Sequence, residues 1–370
     1  MPEALRKVPY VNLPAQYARE KDEILACVDA VFSRGEFVGG GAVERFESEA
    51  AEFMGVKHAV GLNSGTDALI FALRLLDIGP GDEVITPPNS FVASTACIAA
   101  TGATPVFADV QPDQNIDPTA IEAAITPRTK AIMPVHLTGR IADMNRIMAI
   151  AEKHRLFVIE DAAQAIGSTY DGKMSGTFGD IGCFSLHPLK NLNAAGDGGL
   201  LVTNDAQKAR RAKLLRNHGL VDRNRVEEWG TVSRLDTLQA EIASLRLRRL
   251  PEVIARRRHN ANLYRDLLAD ARVFMPPCRN IEFNTFHTFV VQVDRRDELQ
   301  KYLTDRGIGT AIHYPIPIHL QDAARPLGHK PGDFPATETQ ADRILTLPVH
   351  DNLSDEDIAY VCEHVRAFYV

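Results

Sequence analysis

The stretch Cys183-Phe-Ser-Leu-His-Pro-Leu-Lys190-Asn191, followed by Gly196-Asp-Gly-Gly199, decides how this chain is read. Upstream lies Val158-Ile-Glu-Asp161-Ala-Ala-Gln164-Ala165, an apolar run that ends in carboxylates. Each motif alone is weak. Their order and spacing together set out the parts of a pyridoxal phosphate (PLP) site. Lys190 follows an apolar strand and precedes a glycine-rich strand start, in a segment with few other charges. A lysine there can form a Schiff base with the cofactor aldehyde, provided burial or nearby positive charge lowers its pKa.

Asp161 ends the apolar run, and ligands of parallel sheets bind outside the carboxyl ends of the strands. A carboxylate at that place can hold the pyridine nitrogen protonated, which keeps the ring an electron sink. Asp before Ala-Ala-Gln also fits a helix N-cap, so the cap remains an alternative. Glu160 reads as the exposed neighbour. Gln164, one helical turn on, is placed to reach the ring's hydroxyl side. The segment Asn63-Ser64-Gly65-Thr66-Asp67 opens a helix after a strand, as a phosphate cradle or as a simple capping turn. Gly65 there allows close backbone approach and Thr66 adds a hydroxyl, as does Ser185 further on. Phe91, after the strand Glu83–Thr86, is placed either to stack on the ring or to fill the core.

Outward from these motifs, short apolar strands alternate with amphipathic helices. Strands are expected at His58–Leu62, Glu83–Thr86, Thr104–Asp109, Ala131–Val135, Leu156–Ile159, Ile181–Ser185 and Gly199–Val202. Continuous apolar runs such as Ala131–Val135 suit parallel strands covered on both faces. The fold class is therefore α/β with a mainly parallel central sheet. Helices are expected over 21–33 and 42–55, with a flexible glycine loop at 34–41. Leu235–Asp270 is arginine-rich and reads as a solvated helix or helix pair interrupted at Pro251. A strand at Phe286–Val293, a helix at Arg296–Gly307 and a last helix from Ser354 make a smaller α+β domain. The expected division is an N-terminal arm over 1–20, a large cofactor-binding domain over 21–245 and a small domain over 246–370.

Among the 370 residues, 45% hydrophobic content is enough for a sizeable core, and the formal net charge is −7. That charge argues against a dedicated nucleic-acid binder, which needs a basic surface. The five cysteines show no CxxC spacing, so neither a metal site nor a disulfide framework is expected. The start of the chain is polar, and no apolar run approaches the roughly 18 residues of a membrane span. A cytoplasmic protein without a membrane segment is expected. A Rossmann nucleotide-binding protein is disfavoured, because no G-x-G-x-x-G follows the first strand.

The chain resembles the DegT/DnrJ/EryC1/StrS family of PLP-dependent sugar aminotransferases, of fold type I. The matching segments cover nearly all of it. They run from Gly35-Glu-Phe37 and Phe46-Glu47 through Val60-Gly-Leu-Asn-Ser-Gly-Thr-Asp-Ala-Leu69, Gly79-Pro-Gly-Asp-Glu-Val-Ile85 and Pro134-Val-His-Leu-Thr-Gly139. Glu160-Asp-Ala-Ala-Gln164, the Lys190 segment, Ser233-Arg-Leu-Asp-Thr-Leu-Gln239 and Ile312-His-Tyr-Pro315 complete the set. The resemblance implies that Lys190 is the Schiff-base lysine and the proton shuttle, and that Asp161 pairs with the pyridine nitrogen. It places Gln164 beside the ring hydroxyl, Gly65, Thr66 and Ser185 on the phosphate, and Phe91 on the ring face. Some members carry histidine at the lysine position and are dehydratases; here Lys190 is present.

What the resemblance implies for activity is transfer of an amino group from glutamate or glutamine to a keto-sugar, expected to be nucleotide-linked. A ketocyclitol acceptor is an alternative, as is a PLP-binding regulatory protein without turnover. His313, Tyr314 and His319 are candidates for facing the substrate. A homodimer with shared active sites is also implied, and the long polar loop Leu220–Val232 suits one. This chain departs from the family pattern twice. Val232 stands where many members have an asparagine that reaches the neighbouring subunit's cofactor phosphate, and Gly41 stands where many have proline.

Overall fold

The computed structural model of the protein describes residues 6–370. Residues 1–5 of the expected arm lie outside the described residues. A helix runs over Leu13–Arg34, well ahead of the expected start at residue 21. Asn12 caps it by accepting from the Ala15 N–H at 3.1 Å, and a proline stands in its first turn. Both are helix-start signals, legible in Asn12-Leu-Pro.

The strands in chain order are β1 (His58–Leu62), β2 (Glu83–Thr86), β3 (Thr104–Phe107), β4 (Thr129–Ile132) and β5 (Phe157–Asp161). Then follow β6 (Thr169–Tyr170), β7 (Lys173–Met174), β8 (Ile181–Ser185), β9 (Gly199–Thr203), β10 (Val273–Phe274), β11 (Glu282–Phe283), β12 (Phe289–Val293) and β13 (Ile344–Leu347). A seven-stranded sheet has the order β1-β9-β8-β5-β4-β2-β3. Its pairs β2–β3, β2–β4, β4–β5 and β5–β8 are parallel, and β9 lies antiparallel to both β8 and β1. The sheet is therefore mainly parallel, as the apolar runs indicated. Every residue of β2 and β9 is buried, because helices cover both faces.

This topology gathers the motifs. The carboxyl ends of β1, β2, β5 and β8 and the start of β9 share one edge of the sheet. The segments leaving that edge are Asn63–Thr66, Pro87–Ser94, Asp161–Gln164 and Ser185–Lys190, with Gly198 entering β9. Close packing fixes two of them. A Cβ on Gly65 would lie 2.8 Å from the Ser185 Cβ, and one on Gly199 would meet the Ser64 carbonyl at 2.1 Å. Only glycine fits at either place.

A second core forms around the antiparallel sheet β10-β12-β13 and the helix Asp355–Phe368, with Phe289, Val291, Leu345, Leu347, Ile358 and Val361 buried. One helix, Thr237–Leu267, joins it to the large sheet and contains the expected domain boundary at 245/246. Its first half buries Ala243, Leu247, Leu250 and Ile254 against the large sheet, and its last turns bury Ala261 and Tyr264 in the second core. The expected break at Pro251 does not occur; the helix is continuous through it. Proline costs the helix a hydrogen bond, but Leu250 and Ile254 are clamped on either side of it.

Glu160 is not the exposed neighbour of Asp161. It is fully buried. Its carboxylate accepts from His136 Nε2 at 2.9 Å and from the Gly176, Phe178 and Gly179 N–H groups at 2.7 Å. Successive strand residues point to opposite faces, so Glu160 locks the loop before β8 while Asp161 faces the other way. Glu160→Ala leaves these donors unpaired in the interior. It should lower unfolding stability by about 3 kcal/mol or more, read as a fall in the denaturant midpoint, with Glu160→Gln losing less.

Candidate active site

The motif-bearing edge of the large sheet forms one side of a cavity of about 470 Å³. Gly65, Thr66, Phe91, Asp161, Gln164, Ser185 and Lys190 all line it, and so do His313 and Tyr314 from the segment before β13. His319 does not. It lies in a short 3-10 turn, buried against Phe334, with Nε2 3.0 Å from Glu338. That packing turns it away from the cavity and overrides its candidacy as a substrate contact.

Lys190 follows β8 in a tight turn, its N–H donating to the His187 carbonyl at 2.8 Å. Burial pulls its amine down from 10.5 to about 8, with the Asp161 charge opposing. Asp161 is 5% exposed, so its carboxylate depends on local partners. Ser94 Oγ donates to one oxygen at 2.6 Å, and the Ala163 N–H reaches the other at 3.2 Å. The latter is an Asx-type bond. The helix-cap alternative is not realised, because no helix follows Asp161. Gln164 is held by the Thr138 N–H, which donates to its Oε1 at 2.8 Å.

The expected helix start after β1 is also formed. Ser64 caps the helix Gly65–Leu75, its Oγ accepting from the Asp67 N–H at 3.1 Å. The free N–H groups of that first turn and the Thr66 hydroxyl belong to the cavity wall. Phe91 is 54% exposed, with its ring centroid 5.8 Å from that of Tyr314. It stands exposed on the cavity wall and is not a core residue.

Several lining residues were not singled out in the sequence: Ser94, His187, Asp197 and His287. Ser94 carries no motif of its own; only the fold brings it to Asp161. Burial lowers the pKa of His313 to about 4, helped by the Lys190 charge. His287 is pushed well down by burial, then by the charges of Lys190 and Arg257. Tyr314 is raised, by burial first and the Asp161 charge second. At neutral pH these groups are neutral imidazoles and a protonated phenol.

The DegT/DnrJ/EryC1/StrS aminotransferase family matches residues 18–366. The chain belongs to this family. It is 44% identical over 362 residues, 97% of each chain, to a UDP-N-acetyl-3-dehydro-alpha-D-glucosamine 3-aminotransferase of Acidithiobacillus ferrooxidans. It is 42% identical over 366 residues, 98% of each chain, to a "pleiotropic regulatory protein" of Geobacillus stearothermophilus. Its fold superposes with a TM-score of 0.96 on DesV of S. venezuelae, solved in complex with a ketimine intermediate, at 41% identity and 98% coverage of each chain. The protein is thus a PLP-dependent aminotransferase of fold type I. Its own cavity fits PLP: a lysine of depressed pKa, a buried carboxylate backed by a hydroxyl, and a helix start with hydroxyls for the phosphate.

The Lys190 shift has a consequence for the cofactor-free protein. A lysine with a pKa of about 8 in the folded state and 10.5 in the unfolded state binds fewer protons when folded between those values. Stability therefore rises with pH through that window. Relative to Lys190→Met, the cofactor-free wild type should gain stability from pH 8 to 10.5. The difference in melting temperature across that range measures it; a flat difference would refute the shift.

Proposed function

We propose that this protein transfers an amino group from glutamate or glutamine to a nucleotide-linked keto-sugar, with Lys190 as the covalent and proton-moving residue. The observation that carries the reading is the single cavity that holds Lys190, Asp161 and the Ser64–Thr66 helix start together. The activities for which relatives are named, on UDP- and dTDP-sugars, support the acceptor class. The intact Lys190 and Asp161 favour turnover over a purely regulatory role.

PLP, when bound, supplies a ring that draws electrons from the carbon bearing the transferred amino group. Asp161 would pair with its nitrogen, with Ser94 and the Ala163 N–H holding that carboxylate in place. Thr66, Ser185 and the helix N–H groups at Gly65 would hold the phosphate, Gln164 the hydroxyl side and Phe91 a ring face. Lys190 Nζ accepts a proton from the substrate carbon and returns it. A pKa of about 8 leaves both its forms accessible near neutral pH. His313 and Tyr314 stand where the sugar enters. Donor and acceptor use the same cavity in turn, the donor leaving as a keto acid before the keto-sugar binds. The same reading divides the chain into an arm over 1–20, a cofactor-binding unit over 21–245 and a smaller unit over 246–370, in a cytoplasmic enzyme.

The reading extends to a homodimer with shared sites. Large apolar side chains are left exposed on this chain, among them Phe32, Phe37, Val38, Trp229 and Val232. Val232 offers no hydrogen-bond donor from its side chain to a neighbour's phosphate. Gly41 is the first residue of the helix Gly41–Met54, the position that proline would stiffen.

Borohydride treatment of the holoenzyme should fix the cofactor on the peptide containing Lys190, and Lys190→Ala should abolish both trapping and transamination. Asp161→Asn should retain cofactor but lose about 3 kcal/mol of transition-state stabilisation, roughly a hundredfold in rate. Trapping at another lysine, or near-normal turnover of Asp161→Asn, would overturn these assignments.

Shared sites are tested by mixing Lys190→Ala with an inactive protein carrying a bulky change at the exposed position 232, Val232→Trp. Mixed dimers should recover part of the activity, since one of their sites receives both intact halves. Subunit exchange without any recovery would mean that each site is built within one chain.

A further inference from the structure

A second cavity, of about 70 Å³, adjoins the first. Leu189, Lys190, His287 and His313 line both and form the wall between them. The second cavity is bounded on its other sides by the start of the helix Leu13–Arg34, by the middle of the helix Thr237–Leu267 and by residues 349–352. Buried polar atoms without a hydrogen-bond partner belong to its lining residues: Arg257 Nε, His287 Nδ1, His350 Nδ1 and Asn191 Oδ1. These atoms are closed off from the void itself; the polar surface that opens on it belongs to other atoms of the lining residues.

Arg257 is the unusual member. It is 8% exposed and carries a charge that does not titrate away. Among the described residues it donates to backbone carbonyls, those of Phe286 at 3.3 Å and His287 at 3.0 Å. Among the described residues no carboxylate lies within 4.0 Å of its guanidinium. Asp351, the carboxylate on the cavity lining, is engaged by Arg19 at 2.7 Å. The charge of Asp351 reaches Arg257 from beyond that distance and opposes the penalty of burial.

We propose that this rear cavity is a binding site for a small monoanion, a carboxylate or a halide, held by Arg257. The donor chemistry suits one. The second terminal nitrogen of the Arg257 guanidinium has no hydrogen-bond partner among the described residues, and burial lifts the Tyr10 hydroxyl to about 12, so it also stays a donor. Asn191 Oδ1 is an acceptor, because its amide nitrogen donates to the Thr285 carbonyl at 3.2 Å. His350 Nδ1 is another, since Nε2 lies 3.1 Å from the Pro9 carbonyl and must donate to it. Neither atom opens on the void, so neither acceptor opposes an anion there. A water needs about 10–15 Å³ of such space, so the void holds a carboxylate with companion waters. An anion there sets a negative charge behind the wall that carries Lys190, and so opposes the effect of burial on its amine.

The same chemistry has two sources: a free anion from solvent, or the carboxylate end of the amino donor reaching past Lys190. The second rests on the aminotransferase reading above; the site itself does not.

Crystals of the PLP-bound enzyme, grown without chloride and soaked in bromide, should give an anomalous peak within hydrogen-bond distance of the Arg257 guanidinium. A cavity holding water alone would overturn the proposal, whatever the enzyme's activity. In thermal unfolding of the cofactor-free protein, formate should stabilise saturably. Arg257→Lys, which keeps the charge but not the planar fork of donors, should weaken that response at least tenfold. An equal response in both proteins would also overturn it. If the variant does not fold, the bromide result on the wild type still decides. Competition of formate with the amino donor, raising its KM at constant kcat, assigns the site to the donor carboxylate. A formate-dependent shift in the pH profile of cofactor absorbance without competition assigns it to a free anion.

Discussion

Water must be kept from the Lys190 amine while a carboxylate stands in the same cavity. Desolvation lowers the amine's pKa and the charge of Asp161 raises it; burial wins, and the amine settles at about 8. The walls that exclude water come from distant parts of the chain. The turn after β8 supplies Lys190, the segment before β12 supplies His287, and the segment before β13 supplies His313 and Tyr314. The balance therefore exists only when the second core is docked on the large sheet. That docking is made by directed bonds as well as apolar contact. The Ile318 N–H donates to the Pro88 carbonyl at 2.7 Å, and the Ala336 and Thr337 N–H groups donate to Asp109 at 2.9 Å. Phe107, Ile318 and Phe334 pack beneath them.

The paired carboxylates at the end of β5 show how one strand serves structure and chemistry together. Side chains alternate faces along a strand. Glu160 uses its face to satisfy His136 and the turn over 176–179, which fixes where β8 begins. Asp161 uses the opposite face to enter the cavity. The register Asp161↔Cys183 then sets how far Ser185 and Lys190 lie beyond the sheet edge. A shift of one residue would exchange the two carboxylates. The Glu160 anchor therefore also guards the placement of Asp161 and Lys190.

What could be read from the sequence follows from this division. Central strands were legible because burial on both faces leaves runs without alternation, as in β2 and β8. That Lys190, Asp161 and the Ser64–Thr66 helix start lie together was legible from the order and spacing of their motifs, each of which is weak alone. Ser94 and His287 were not, since each is an ordinary residue until the fold brings it to Asp161 or Lys190. Glu160 was misread because adjacent carboxylates look alike in sequence. His319 looked like a site residue by proximity to His313, but its 3-10 turn points it at Glu338. Pro251 was misread because local propensity is outweighed by packing on both sides of it.

The arginine-rich helix Thr237–Leu267 is the strongest case of pattern failing for a physical reason. Its charges suggest a solvated surface. Yet Arg246 bonds the buried Glu20 at 2.9 Å and the Asn193 and Ala194 carbonyls, and Arg257 is enclosed. A helix that passes between two cores has no single wet face, so its polar side chains must find partners within the protein. Those partners are the first helix, the turn after Lys190 and the backbone before β12. Through Arg246 and Arg257 the helix braces the chain on both sides of Lys190: at residues 193–194, beyond it, and at residues 286–287, across the cavity wall. The residues that make this segment look like surface are thus part of what holds the buried amine in place.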